Sequence, residues 1–146
     1  MDFNGLDTIE YEICDTGTPI YCDTAILVID VLPIDDLLVT QNDSDVTPED
    51  TPVTTSVLDN DIDPDNDIDT SSVTVVNPPD FGSTSVNPIT GEITYTPDPD
   101  YNGNDSYTYQ VCDQTSPTPN CDIATVFMVV NPVNDPPVAL DDTAVL

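Results

Sequence analysis

The absence of cationic side chains constrains this chain more than any other feature of its sequence. Its 146 residues include no lysine, arginine or histidine, whereas 29 are aspartate or glutamate, so the formal net charge at pH 7 is −29. Soluble domains ordinarily mix both signs over about a quarter of their residues. Because no carboxylate here can pair with a cationic side chain of the same chain, any fold must tolerate mutual repulsion or recruit cations from outside.

The charge also limits the classes of partner. Nucleic acid is excluded because its binding depends on Lys and Arg to neutralise phosphates, and an anionic membrane surface would repel the chain. Aspartate outnumbers glutamate by 25 to 4, and short carboxylates are typical of turns and metal-binding loops. We therefore expect hard divalent cations to neutralise the chain.

Short apolar runs predict an all-β fold. Hydrophobic residues make up 38% of the chain, and Val, Ile, Tyr and Thr recur in alternating runs of strand length, which argues against disorder. No window has the period of an amphipathic helix, and no run is long enough for membrane insertion. The N-terminus lacks the basic and apolar regions of a signal peptide, so we expect the chain to be part of a longer protein.

A long internal repeat indicates the domain organisation. Segment 2–15 recurs as 100–113, 98 positions later, and Cys22 recurs as Cys121 after one further inserted residue. A period of about 99 residues is that of a whole domain rather than of a solenoid unit. The predicted domains are the C-terminal part of a preceding repeat at 1–36, a complete repeat at 37–135 and the start of a following repeat at 136–146.

Seven predicted strands in the complete repeat suggest a Greek-key β-sandwich. Asn87–Gly91 is predicted to form the turn of a hairpin that pairs 83–86 with 93–96. The strands are predicted at 37–41, 51–58, 71–77, 82–87, 91–96, 105–112 and 121–131. Alternation is clearest in the last two strands. Their expected core positions are Tyr107, Tyr109, Val111, Ala124, Val126, Met128 and Val130.

An acidic loop is the first candidate metal site. Between positions 61 and 67 every second residue is aspartate, a spacing that lets several carboxylates of one loop reach the same ion. The loop is not an EF-hand, because Asn66 replaces the glycine of the sixth position and Ser72 the glutamate of the twelfth. A solvated acidic loop is the alternative, although repulsion among its carboxylates counts against it.

The four cysteines predict two local disulfides. Cys14 and Cys22 are eight positions apart, Cys112 and Cys121 are nine apart, and the two pairs occupy corresponding positions in successive repeats. A redox or metal role would favour a Cys-x-x-Cys spacing. Each disulfide is expected to close the connection between the last two strands of its repeat, and both indicate an oxidising compartment.

Several motifs resemble those of bacterial cadherin-like or Ig-like tandem repeats, which occur in large secreted or surface adhesins. The matching segments are 49–53, 57–67, 90–97, 101–109 and 133–138. The resemblance extends over nearly the whole chain and is more specific for the fold than for a ligand. It implies an extracellular or cell-surface location and the role of a calcium-stiffened spacer or adhesive stalk.

We expect Ca2+ to bind where repeats adjoin. In a sandwich of this topology the loop between the second and third strands faces the preceding repeat, so it is expected to share ions with the incoming linker. The first junction is predicted to use Asp2, Asp7, Asp30, Asp35, Asp36, Asp59, Asp61, Asp63, Asp65, Asp67 and Asp69. The second is predicted to use Glu49, Asp50, Asp98, Asp100, Asp105, Asn134 and Asp135.

Two further observations bear on these junctions. A cadherin linker usually begins with aspartate, but this copy has Asn131 where the preceding copy has Asp30 at an almost equivalent position. Capping of turns by Asp or Asn is the alternative role for any single residue. Magnesium fits less well because it prefers strict six-coordinate geometry, and zinc lacks ligands because histidine is absent and the cysteines are expected to be paired.

The composition argues against an enzyme. The chain has no His or Lys, and its cysteines are expected to be paired, so the usual residues for acid–base and nucleophilic catalysis are missing. A glycosidase that uses a carboxylate pair would lack both a cleft and a tryptophan platform for the sugar. A calcium-dependent adhesin domain that binds a surface glycan or protein is the main alternative to a spacer. A head-to-tail polymer is a third possibility, because the two strands expected in 1–36 rarely stay folded alone.

Overall fold

The computed structural model of this protein describes residues 3–32, 34–115 and 117–137. The chain forms two compact units, residues 1–36 and 37–146. All helical or strand structure in the described residues is β-strand, which confirms the all-β prediction. Asp2 and almost all of the predicted following repeat at 136–146 lie outside the described residues.

The first unit is a β-hairpin. Strands β1 (Gly5–Cys14) and β2 (Cys22–Val31) pair antiparallel along their whole length. The Asp15 carboxylate organises the connection, since its Oδ1 accepts hydrogen bonds from the backbone N–H of Gly17 and Tyr21 at 3.1 and 3.0 Å. Large apolar side chains on both faces of the hairpin remain exposed.

The second unit is the predicted seven-stranded sandwich. One sheet has the order β3-β9-β8-β5 and the other the order β4-β7-β6. The first strand, β3, pairs parallel with the last, β9, and the other neighbouring strands are antiparallel. The strands are β3 (Asp43–Pro48), β4 (Val53–Thr55), β5 (Ile68–Asn77), β6 (Gly82–Val86), β7 (Ile93–Pro97), β8 (Gly103–Asp113) and β9 (Cys121–Asn131).

The core lies between these two sheets, and the predicted core faces are confirmed. Every expected core position of β8 and β9 is buried, and the residues between them are more exposed. The opposite sheet contributes Ile93 and Tyr95, and Val57 and Val73 fill the space between the sheets. The period-two pattern therefore identified the buried face correctly.

The predicted hairpin turn is also confirmed. Ser83 pairs with Thr96 and Val86 with Ile93, as expected. Gly91 closes the turn with φ at +76°, and a Cβ there would lie 2.8 Å from the Leu58 side chain. Only glycine combines this backbone conformation with such close packing.

The prediction of a first strand at 37–41 is wrong. Val39 makes only an isolated bridge with Ile62, and the first strand of the unit is β3. The apolar run at 37–39 suggested a strand, but Leu38 inserts alone into the core. Conversely, β3 escaped prediction because its inward-facing side chains are polar. The predicted strand at 51–58 is real but much shorter.

The two ends of the sandwich are defined by different loops. The entry end is formed by 37–42, 56–67, 114–115 and 117–120. Here Thr40 donates two hydrogen bonds to Asp122 Oδ2, and the N–H of Gln114 donates to the Asp67 carbonyl. The exit end is formed by 49–52, 98–102 and 131–135. Because β3 runs from one end to the other, these loop groups lie at opposite ends of the unit.

Candidate metal centre

Three carboxylates from three separate segments meet at the exit end. Asp50 follows β3, Asp100 follows β7 and Asp135 follows β9. One carboxylate oxygen from each lies within 4.8 Å of the others, and all three residues are exposed. Calcium–oxygen distances are about 2.4 Å, so ligands on opposite sides of one ion are about 4.8 Å apart. The spacing is therefore compatible with one shared ion.

The backbone brings two of these residues together. The N–H of Asp100 donates a hydrogen bond to Asp50 Oδ1 at 3.1 Å. Both residues adopt left-handed backbone conformations, with φ of +61° for Asp50 and +59° for Asp100. Aspartate tolerates this conformation better than most L-residues. The turns after β3 and β7 are thus coupled at the place where their carboxylates meet.

Glu49 holds the third segment. Only 4% of its surface remains exposed. Oε1 accepts a hydrogen bond from the N–H of Val133, and Oε2 accepts one from Asn102 Nδ2 at 3.1 Å. The backbone N–H of Glu49 also donates to the Asn131 carbonyl at 2.8 Å. Glu49 therefore positions the segment that carries Asp135.

The electrostatics of this cluster favour a cation. Desolvation raises the pKa of Asp135 above its ordinary value, and the negative charges of Glu49, Asp100 and Asp50 raise it further. Like charges at this distance disfavour ionisation, whereas a bound cation would reverse the effect.

The other predicted exit-end residues take different positions. Asp105 lies apart from the cluster, because its carboxylate accepts hydrogen bonds from the N–H groups of Asp80 and Phe81 and from the Tyr95 hydroxyl, at 2.9–3.1 Å. Asp98 is exposed, and its backbone groups bond to Phe81 and Tyr101. Asn134 is exposed on the same segment as Asp135.

The predicted loop at the entry end is folded by its own carboxylates. Asp63 accepts hydrogen bonds from the N–H groups of Asp65 and Asp67, at 3.1 and 2.7 Å. Asp69 accepts two from Ser71. Asp61 accepts one from the N–H of Gln41 at 2.9 Å. Within the described part of the chain, no three carboxylates of the 59–69 loop lie within 4.8 Å of one another.

The remaining first-junction residues belong to the first unit. Asp7 pairs with Ile29 in the hairpin, Asp30 pairs with Leu6, and all three aspartates 30, 35 and 36 are exposed. Ion sharing between these residues and the 59–69 loop stays a prediction.

Comparison with known proteins identifies the family. Residues 35–129 match the bacterial Ig domain. The chain belongs to the bacterial Ig domain family. The match covers most of the chain and includes the turns that carry Asp50 and Asp100, but it ends before Asp135.

Solved structures agree on the fold of this bacterial Ig domain. The protocadherin gammaB7 EC3-6 cis-dimer structure is similar, with a TM-score of 0.58 and 18% identity over 87% of this chain and 32% of that chain. The chain thus spans about a third of the length of that protocadherin chain, and the likeness concerns the fold. No curated protein matches the sequence significantly.

Both predicted disulfides are confirmed, and the second lies within the bacterial Ig domain. Cys14–Cys22 and Cys112–Cys121 join directly opposed residues at the closed ends of the β1–β2 and β8–β9 hairpins. Glu12 lies close to the first pair, but both sulfurs there are in a disulfide and offer no thiolate to a metal. The cysteines are structural.

Sequence reasoning missed two carboxylates of the bacterial Ig domain. Burial, followed by the charge of Asp61, raises the pKa of Asp43 to about 6. Hydrogen bonding from the Thr40 N–H lowers the pKa of Asp122. Asp43 was missed because its strand was predicted in the wrong place. The repetition of Asp23 as Asp122 in successive repeats was the signal that could have identified Asp122.

Among the residues that the structure describes, no helical segment has the length and hydropathy that a membrane crossing requires.

Proposed function

We propose that this chain is a calcium-binding, disulfide-stabilised structural repeat of an extracellular stalk, adhesin or filament, without enzymatic activity. The observation that carries the proposal is the meeting of Asp50, Asp100 and Asp135 at the exit end, within 4.8 Å of one another. The chain has no cationic side chain to neutralise them. Protonation of one carboxyl would relieve their repulsion, and a bound external cation would relieve it while all three stay ionised.

Calcium suits this arrangement by ligand type and number. It takes about six to eight oxygen ligands in flexible geometry, whereas magnesium requires a near-ideal octahedron. Three carboxylates, each binding through one or two oxygens, would supply part of this shell, and water or a neighbouring repeat would supply the rest. An incomplete shell at an exposed chain exit is what a junction between repeats requires.

The proposed role of the ion is mechanical. The three carboxylates belong to the turns after β3 and β7 and to the segment after β9. Glu49 already attaches that segment through its bond to Val133. A cation bound to Asp135 and to both turns would hold the departing chain in one direction and stiffen an array of such domains.

The first unit supports an array of repeats. Ile9, Tyr11 and Leu27 are exposed by 50%, 46% and 51%, although the equivalent Tyr107, Tyr109 and Val126 of the second unit are fully buried. A two-stranded hairpin is marginal in water, and this one carries a core-type apolar face. We propose that further strands, from a longer chain or from a second copy in a head-to-tail polymer, cover it.

Thermal unfolding with calcium, magnesium or a chelator tests the metal proposal. A ligand that binds only the folded state stabilises it in proportion to the logarithm of its concentration above Kd, by about 2.7 kcal/mol at 100 Kd. We expect Tm to rise with calcium, less with magnesium, and to return to the baseline when a chelator is added.

Matched variants locate the site. Asp50→Asn and Asp135→Asn should raise the calcium Kd at least about tenfold, since each removes a charged ligand. Asp80→Asn removes one charge elsewhere at an exposed position and should leave Kd nearly unchanged. An equal loss of calcium affinity in all three variants would indicate diffuse charge screening. A Tm that does not change when a chelator is added would refute the metal proposal.

A further inference from the structure

One side of the second unit is closed by polar side chains. Here the edge strands β3 and β4 of the two sheets lie next to each other. Asp43 is opposite Val126 and Asp45 is opposite Met128 across the β3–β9 pairing. Because both partners are buried, these aspartates also face inward. We call this region the β3–β4 seam, formed by Asp43, Asp45, Thr47, Thr55 and Tyr107.

Most polar groups of the seam are hydrogen bonded. The Thr55 hydroxyl donates to Asp45 Oδ2 at 3.0 Å. The Thr47 hydroxyl donates to the Thr51 carbonyl at 2.6 Å. These bonds connect β3 to β4 and to the turn between them.

Two oxygens of the seam are exceptions. Tyr107 is 99% buried, since only 1% of it is exposed. Its hydroxyl oxygen and Asp43 Oδ2 are inaccessible to solvent, and neither forms a hydrogen bond with any group of the described residues. The Thr55 hydroxyl lies beside Tyr107 and donates its own proton to Asp45 at 3.0 Å, and the contact between the two hydroxyls falls outside hydrogen-bond geometry.

The two unsatisfied oxygens lie on the same row of the sheet. Val126 pairs with Asp43 on one side and with Tyr107 on the other, so all three side chains point into the core. Burial and then the charge of Asp43, followed by that of Asp45, raise the pKa of the Tyr107 hydroxyl to about 12. The charge of Asp43 therefore acts on the Tyr107 hydroxyl, although no direct hydrogen bond joins them.

We propose that ordered water occupies the β3–β4 seam and bridges the Tyr107 hydroxyl to Asp43 Oδ2. The hydrogen-bonding roles are complementary, because Tyr107 has a proton to donate and the carboxylate oxygen only accepts. A water molecule accepts from the first and donates to the second. Buried polar groups without partners cost about 1–3 kcal/mol each, and interior water is the usual remedy where the surroundings are polar.

A cation fits the seam less well than water. It would satisfy Asp43 Oδ2 but would leave the Tyr107 proton without an acceptor. Asp45, the other carboxylate of the seam, is already bonded to Thr55. The water site is also specific to this unit, because the preceding repeat has Ile9 at the position of Tyr107 and so lacks the hydroxyl.

The proposed water attaches the first strand to the core. β3 is an edge strand that pairs only with β9, and its inward side chains are too polar to attach it by apolar burial. A bridge from Asp43 to Tyr107 on β8 would span the intervening strand. This inference is independent of calcium, so it is tested in the presence of chelator.

Stability measurements separate a bridged hydroxyl from an unsatisfied one. Removing an unsatisfied buried hydroxyl relieves a penalty, so Tyr107→Phe would then raise the folded-to-unfolded ratio. With the water bridge, Tyr107→Phe should lower that ratio several-fold. In an Asp43→Ala background the same substitution should have a smaller effect, because the bridge has lost its other end.

A control variant and a direct measurement complete the test. Tyr95→Phe also removes a buried hydroxyl, one that bonds to Asp105 at 2.9 Å, and its effect should add to that of Asp43→Ala. A crystal structure at about 1.5 Å should show a solvent peak within hydrogen-bond distance of both oxygens. No peak, a peak with the anomalous signal of calcium, or a more stable Tyr107→Phe protein would each overturn the proposal.

Discussion

Asp43 shows how position alone alters the chemistry of one residue among many like it. Its carboxyl faces inward from β3 and lies near Asp61, and desolvation followed by that charge raises its pKa from 3.8 to about 6. The nearby donor groups of Tyr109 and Asn60 oppose the shift. Asp113 and Asp122 show the opposite sign, since backbone N–H groups donate to both and their pKa values are lowered.

The sign of the Asp43 shift predicts an unusual pH dependence. A carboxyl whose pKa is raised by folding binds its proton more tightly in the folded state, so its stabilising contribution is complete below about pH 4 and is lost as the pH rises to about 6. Asp113 and Asp122 lose their contributions only below their ordinary pKa of 3.8. Without calcium, the free energy of unfolding should therefore increase as the pH falls from 7 to 5.

Denaturant titrations at several pH values check this prediction. Asp43→Asn should flatten the change between pH 4 and 6, whereas Asp80→Asn should preserve it. A wild-type stability that decreases steadily from pH 7 to 5 would contradict the sign derived from Asp43.

At the scale of elements, some strands could be predicted from the sequence and others could not. β8 alternates between polar and apolar residues from Ser106 to Val111, and β9 has an apolar residue at every second position from Ala124 to Val130, so their boundaries and buried faces were recognisable. β3 was not, because Asp43, Asp45 and Thr47 face inward and reverse the usual pattern. Inward-facing charge is a known device that discourages edge strands from pairing with other chains, and it conceals the strand from a hydrophobicity pattern.

The candidate site shows the same division. Asp50, Asp100 and Asp135 each follow a strand that ends at the same end of the sandwich, so their convergence could be predicted from topology. The role of the 59–69 loop could not be predicted in this way, because Asp63 and Asp69 accept hydrogen bonds from nearby backbone or hydroxyl groups. Aspartate spacing alone does not distinguish a carboxylate that caps a turn from one that binds an ion.

The disulfides permit a matched prediction at this scale. Cys112–Cys121 closes a short loop in a hairpin that is part of the folded core, and loop-entropy arguments assign about 2–3 kcal/mol to a loop of this length. Replacing both cysteines with alanine should lower the unfolding free energy of the second unit by about that amount. The same change at Cys14 and Cys22, in the other unit, should leave that transition nearly unaltered. Equal effects would show that the two units unfold as one.

At the scale of the whole molecule, the net charge of −29 acts on every equilibrium at once. Self-repulsion opposes compaction, and no pair of opposite charges among the side chains offsets it. Bound calcium would remove repulsion locally, whereas dissolved salt would screen it everywhere. The two mechanisms are separable because screening depends on ionic strength and not on the identity of the cation.

The last prediction uses this difference. Between 0.01 and 0.5 M tetramethylammonium chloride, the Debye length falls from about 30 Å to below 8 Å, so without calcium the Tm of the second unit should rise by roughly 5 °C, equivalent to about 1 kcal/mol for a domain of this size. With saturating calcium the rise should be smaller, because the closest carboxylates at the exit end are already neutralised. Calorimetry with both additives measures each effect. A salt response that calcium leaves unchanged would mean that the ion does not bind where the carboxylates repel most strongly.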